Sequence, residues 1–220
     1  MGYASRQRVA EATTLRARLA GFKVAVDVQH VYRPSHVGDE GSVYTDAAGM
    51  HVTEAHLSAI YAIALCNWFR DRSAEVLTND RSAGVLVGEY WTRNRAAAEW
   101  GACAYLACHV NAGGGRYAAI EYMNGTPGGL LALSILPQLP VAAPEIVGLR
   151  SLPLIRGQRG AVCIEAFPSD RGAAVLVEPF FGDAASQRAL LGADRLAGIA
   201  GAIGEGVARW WESWRRVPPA

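Results

Sequence analysis

Short apolar runs alternate with longer amphipathic stretches along this chain, and that alternation predicts an α/β protein. VAVDV (24–28), EVLTN (75–79), AYLACHV (104–110), YAAIEYM (117–123), AVCIEAF (161–167) and AAVLVEPF (173–180) each suit a strand in a buried sheet. Helices are predicted over 5–20, over 53–70 with Thr53 as N-cap, over 87–101, over LLALSILPQL to about Pro137, and over 184–216. Two stretches read as loops. Residues 31–52 are polar and rich in Gly, Asp and Ser, and 140–159 carry Pro140, Pro144 and Pro153. The expected architecture is one layered domain over 1–220, with a central, mostly parallel twisted sheet flanked by helices and a helical extension at 1–20.

Composition fits this picture and excludes several functions. Half of the 220 residues are apolar, enough for a full core. A formal charge of +1 gives no strong field for nucleic acid or an anionic membrane. No apolar run is long enough to span a bilayer, and the first twenty residues lack the apolar core of a secretory signal. The chain is therefore expected to be made in the cytoplasm without a signal peptide. Oligomeric state is not legible. Cys66, Cys103, Cys108 and Cys163 lie in apolar stretches with no CxxC pair, so free core thiols are expected. A nucleophilic Cys108 beside His109 is conceivable, but neighbours on a strand point to opposite faces.

Four residues stand out in order: His30, Glu54, His109 and Glu178. Each His ends an apolar strand, which places both at the carboxyl rim of the sheet, where sites of such folds gather. Glu54 opens a helix, and Glu178 interrupts a Val/Leu run in which an unpaired carboxylate is costly. Two imidazoles and a carboxylate are a common ligand set for hydrolytic zinc, and a further carboxylate suits a proton carrier. His51 and His56 are rival ligands, and His36 and Glu40 are weaker ones. Asp27 could orient a ligand His or cap a strand end. Glu121 could line the cleft or pair with an Arg. Trp210, Trp211 and Trp214 have the spacing of helix packing.

These residues carry a family resemblance. Asp27-Val28-Gln29-His30, Glu54-Ala55-His56-Leu57-Ser58, Leu77-Thr78-Asn79 followed by Arg95, Cys108-His109-Val110-Asn111-Ala112 and Val175-Leu176-Val177-Glu178-Pro179-Phe180-Phe181 succeed one another over about 22–215. Together they resemble the zinc-dependent N-acetylmuramoyl-L-alanine amidases of the Amidase_3 type, found in bacterial autolysins and phage endolysins. His-x-Asn-Ala and Val-Leu-Val-Glu are the most specific of these segments. The family's Gly-His-Gly-Gly turn is replaced by Gln29-His30-Val31-Tyr32, and the stretch from His30 to Glu54 is longer than usual.

The resemblance implies an enzyme that binds Zn2+ through His30, Glu54 and His109 and uses Glu178 as its general base. Its substrate would be bacterial peptidoglycan, cut between the lactyl group of MurNAc and L-alanine. A chain without an export signal would reach the wall after holin-type release in phage lysis. Two other readings share the fold: a zinc peptidase cutting within the stem peptide, and a non-catalytic wall-binding protein. A Cys hydrolase is more remote.

Overall fold

The strand predicted over 24–28 forms as β1 (Lys23–Val28), with Val24, Ala25 and Val26 fully buried near the centre of the sheet. The computed structural model describes residues 18–31, 34–79 and 86–216. Most of the helix expected over 5–20, and of the extension at 1–20, lies outside the described residues; 18–20 form a turn. β2 (Val43–Thr45) and β3 (His51–Thr53) make a small antiparallel hairpin inside the expected 31–52 loop. The remaining strands are β4 (Glu75–Thr78), β5 (Ala104–Cys108), β6 (Tyr117–Met123), β7 (Gly148–Leu154) and β8 (Ala173–Glu178). They build one six-stranded sheet in the order β4-β1-β5-β8-β6-β7. All neighbours are parallel except β6 and β8, so the sheet is mostly parallel as expected.

Helices cover both faces, and their sequences explain why. α1 (Glu54–Arg70) begins where Thr53 Oγ1 accepts the His56 N–H, and it buries Leu57, Tyr61, Leu65 and Phe69 at three- and four-residue spacing. α2 (Tyr90–Trp100) ends at Gly101, whose φ of 89° supplies the left-handed cap. α3 (Gly128–Ile135) and α4 (Leu139–Ala142) flank a 3-10 turn, and α5 (Ala193–Trp214) is the long C-terminal helix. α1, α3 and α5 share one core with one face of the sheet. α2 and the segment from Ala161 pack on the other. Thus β1–α1–β4 and β4–α2–β5 cross on opposite faces, leaving a crevice at the carboxyl ends of the strands around β1. Trp210 stacks on Trp214 with centroids 5.4 Å apart and meets Phe22 edge-on, so these tryptophans are packing residues.

Two segments differ from expectation. AVCIEAF is not a strand. After Gly160, at φ 89°, Ala161–Cys163 form a 3-10 turn, and Ala161, Ile164 and Phe167 bury at three-residue intervals. Conversely, 140–159 is not all loop, because it holds β7. β7 lies at the sheet edge with Pro153 opposite Tyr122, and an edge is where a strand tolerates proline. Its half-exposed side chains, including Arg150 and Ser151, hide the strand pattern. The helix expected over 184–216 is interrupted at Gly192 between a 3-10 stretch (Ala185–Leu191) and α5.

Glycines in α5 generate a paired prediction. A Cβ at Gly206 would collide with the Ile135 backbone and lie 2.8 Å from Ser134 O, whereas one at Gly198 meets nothing within 4 Å. Gly198→Ala should raise stability by about 0.5–1 kcal/mol through helix propensity. Gly206→Ala should lower it by about 1–3 kcal/mol through overpacking. Urea melts of the two variants check both signs.

Candidate metal centre

The parallel register puts the ends of three strands on one rim. Cys108 stands opposite both Val28 and Val177, so His30, His109 and Glu178 all emerge from neighbouring strand ends. His30 follows β1 with φ 58°, a left-handed conformation that few non-glycine residues adopt. Its N–H donates to the Tyr90 hydroxyl at 3.1 Å, which helps to hold the turn. His109 extends β5, its N–H bonded to Val177 O at 3.0 Å and its own carbonyl accepting the Tyr61 hydroxyl at 2.9 Å.

Glu54 comes to this rim from the other direction. The segment 40–42 pairs with the start of α1: Glu54 N donates to Ser42 O at 2.8 Å and Ala55 N to Glu40 O at 3.0 Å. Ser42 N donates back to Glu54 Oε2 at 3.1 Å. Gly41, at φ 70°, lies so close that a Cβ there would sit 2.6 Å from Glu54 Oε2. This buried carboxylate is thus seated by backbone, and its Oε1, which also accepts the Val110 N–H at 3.3 Å, faces the two imidazoles. His109 Nδ1 lies 2.8 Å and His30 Nε2 3.3 Å from it.

His30, Glu54 and His109 each present a donor atom within 4.8 Å of the others, the one such group found among the described residues. The donor chemistry suits a divalent metal of the zinc type: two nitrogens and one carboxylate oxygen. Burial opposes ionisation of Glu54, but its bonds to His109 and His30 outweigh this and hold its pKa far below the usual carboxylate range. Burial pushes the pKa of His109 down. At His30 burial acts in the same direction, but Glu54 and Asp39 overcome it and raise the pKa. One anion between two imidazoles is an arrangement in which a cation can replace shared protons.

The rival ligands do not join the group. His36, Glu40, His51 and His56 are all exposed and outside it. Asp27 does not orient His30. It is fully buried beneath the rim, where it accepts hydrogen bonds from Arg93 Nη1 at 3.1 Å, from Gln29 Nε2 at 2.6 Å and from the Tyr105 hydroxyl. The carboxylate at His30 Nδ1 is Asp39, at 3.1 Å, which the sequence reading missed within the polar loop. Arg93, also missed, is the buried arginine of α2, whereas Arg95 is exposed over Trp91. None of the four cysteines is in a disulfide, and burial raises the pKa of Cys108 far above that of an ordinary thiol, which excludes it as a ready nucleophile.

Glu178 shares a cavity of about 680 Å³ with the three donors. Among the described residues it forms no ion pair with an arginine; it accepts a hydrogen bond from Asn111 Nδ2 at 2.5 Å. Burial, reinforced by the charges of Glu121 and Glu54, pushes its pKa up to about 8. Glu121 lines the same cavity, with its own pKa raised by burial.

The site and fold define an α/β protein with a two-histidine, one-glutamate centre at the sheet's carboxyl rim. No family model and no curated protein matches the sequence. Solved structures do match the fold. N-acetylmuramoyl-L-alanine amidase AmiC2 of Nostoc punctiforme superposes with a TM-score of 0.68 at 15% identity, covering 88% of this chain and 99% of that one. The amidase Ami1 from Mycobacterium smegmatis gives 0.68 at 16% identity, over 89% and 99%. The catalytic domain of the CD27L endolysin, which targets Clostridia difficile, gives 0.57 at 19%, over 86% and 97%. At these identities the likeness establishes the fold.

The Glu178 environment has a consequence for stability. A carboxyl whose pKa rises on folding favours its protonated state in the fold. Its contribution is complete below the ordinary value of 4.5 and is lost as pH climbs to about 8. Glu178→Gln does not titrate. In chelator, its melting temperature relative to the parent chain should therefore increase steadily with pH across that window. A difference independent of pH would contradict the assigned environment.

Proposed function

We propose that this chain is a zinc-dependent peptidoglycan amidase that cleaves the amide bond between the lactyl group of MurNAc and L-alanine. The observation that carries this reading is the convergence of His30 Nε2, Glu54 Oε1 and His109 Nδ1 at the rim of an amidase-type fold, with Glu178 in the same cavity. His30, Glu54 and His109 would hold the metal. A zinc ion bound there would supply a Lewis acid and lower the pKa of water to about 7.

The remaining roles belong to side chains of this chain. Asp39 holds His30 Nδ1, so that Nε2 faces Glu54. Asn111 steadies the Glu178 carboxylate. Glu178 takes a proton from the attacking water and returns it to the departing L-alanine nitrogen, giving a lactyl carboxylate and a free peptide amine. A pKa near neutrality suits a group that must both accept and release a proton.

Digestion of purified peptidoglycan tests the reaction. MurNAc free of peptide and a new L-alanine amine are expected; new termini inside the stem peptide would instead support a peptidase. About one zinc per chain is expected, and His109→Ala should abolish its retention together with activity. Full zinc occupancy in that variant would refute the ligand role. Glu178→Gln should keep its zinc and lose at least ~10²-fold in turnover. Normal lysis by the zinc-loaded variant would overturn the proton-carrier role.

A further inference from the structure

The cavity that holds the candidate centre is strongly acidic. Asp39, Glu54, Glu121 and Glu178 all line it, and among the described residues Arg159 is the one lysine or arginine that does so. Arg159 makes no hydrogen bond or ion pair among the described residues, although its charge acts on both Glu121 and Glu178. A guanidinium facing carboxylates without closing on them keeps its forked N–H donors available.

The placement of Arg159 is built into the fold. It follows β7, which like its parallel neighbour β6 runs opposite to β8 and so ends at the other rim; from there residues 155–160 come back to the cavity, where Gly160 lies beside Glu121 and Leu176. Gln158 Oε1 accepts the Ile155 N–H at 2.7 Å, and the Ala161 N–H donates to Gln158 O at 3.0 Å. Glu165 Oε2 accepts the Gly157 N–H at 3.3 Å. Gly160, at φ 89°, presses against Glu121 so closely that a Cβ would collide with Glu121 Oε2. The turn is therefore seated on the cavity wall, with its arginine at the opening.

We propose that Arg159 is a specificity-determining residue that binds a carboxylate on the peptide limb of the substrate. The inference rests on the amidase reading above. One guanidinium left open on the wall of this cavity offers paired donors that match a carboxylate. A charge-assisted hydrogen bond of ~1.5–3 kcal/mol corresponds to about 10- to 10²-fold in kcat/KM.

Two synthetic muramoyl-L-alanyl peptides test this, differing only in whether their carboxyl groups are free or amidated. The zinc-loaded parent enzyme should prefer the free form by about 10-fold or more. Arg159→Ala should remove that preference by raising KM for the free form alone, while any change that acts through the charge on Glu178 falls equally on both substrates; Arg159→Lys should restore part of the preference. If Arg159 acts only through the charge of Glu178, Arg159→Ala will change kcat and its pH profile alike for both substrates, which overturns the proposal. Equal cleavage of both by the parent and Arg159→Ala proteins also overturns it, while the amidase reading stands. Cleavage of neither substrate by the parent enzyme removes the amidase reading, and this inference with it.

Discussion

One buried carboxylate organises the rim that carries the candidate metal centre. Glu54 accepts backbone N–H groups from Ser42 and Val110 and faces the imidazoles of His30 and His109. A carboxylate this far from water costs several kcal/mol unless it is bonded on all sides. The hairpin segment, the left-handed turn at His30 and the end of β5 each supply part of that satisfaction. The loop before α1, nearly featureless by composition, is thus a wall of the site.

Beneath the rim lies a second polar layer that holds the first in place. Asp27 and Arg93 form an ion pair with both side chains fully buried, and Arg93 also donates to Val28 O and Gly88 O. Asn79 clasps the backbone of Val28 through both its donor and its acceptor. These bonds tie the end of β1 to β4 and α2 just before the chain turns at His30. Tyr61 does the same for β5 and β8 by donating to both His109 O and Val177 O. A site built on strand ends braced in this way is positioned more tightly than one carried on loops.

Much of this was legible in the sequence wherever burial was uniform. β1, β5, β6 and β8 are near-continuous apolar runs, and α1 carries its own N-cap, so both strand ends and the start of the helix could be located. That was enough to bring His30, His109 and Glu178 to one rim; Glu54 was chosen over His51, His56 and Glu40 through the family resemblance alone. Segments at the sheet edge or under the far face were harder to read. β7 carries proline and exposed polar residues because it is an edge, and AVCIEAF reads as a strand because a turn buries Ala161, Cys163, Ile164 and Phe167. Asp39 and Arg159 left no signal, since both lie in irregular segments that no local periodicity marks. Arg93 and Arg95 differ only in which face of α2 they occupy.

The central claim is that Glu54 and the two imidazoles form a metal site and are not simply a hydrogen-bonded cluster. The most direct measurement is anomalous diffraction at the zinc edge from crystals of the zinc-treated protein. The account predicts one strong peak among His30 Nε2, Glu54 Oε1 and His109 Nδ1, with Glu178 outside the ligand set. No peak there, or a peak held instead by His36, His51 or His56, would contradict it.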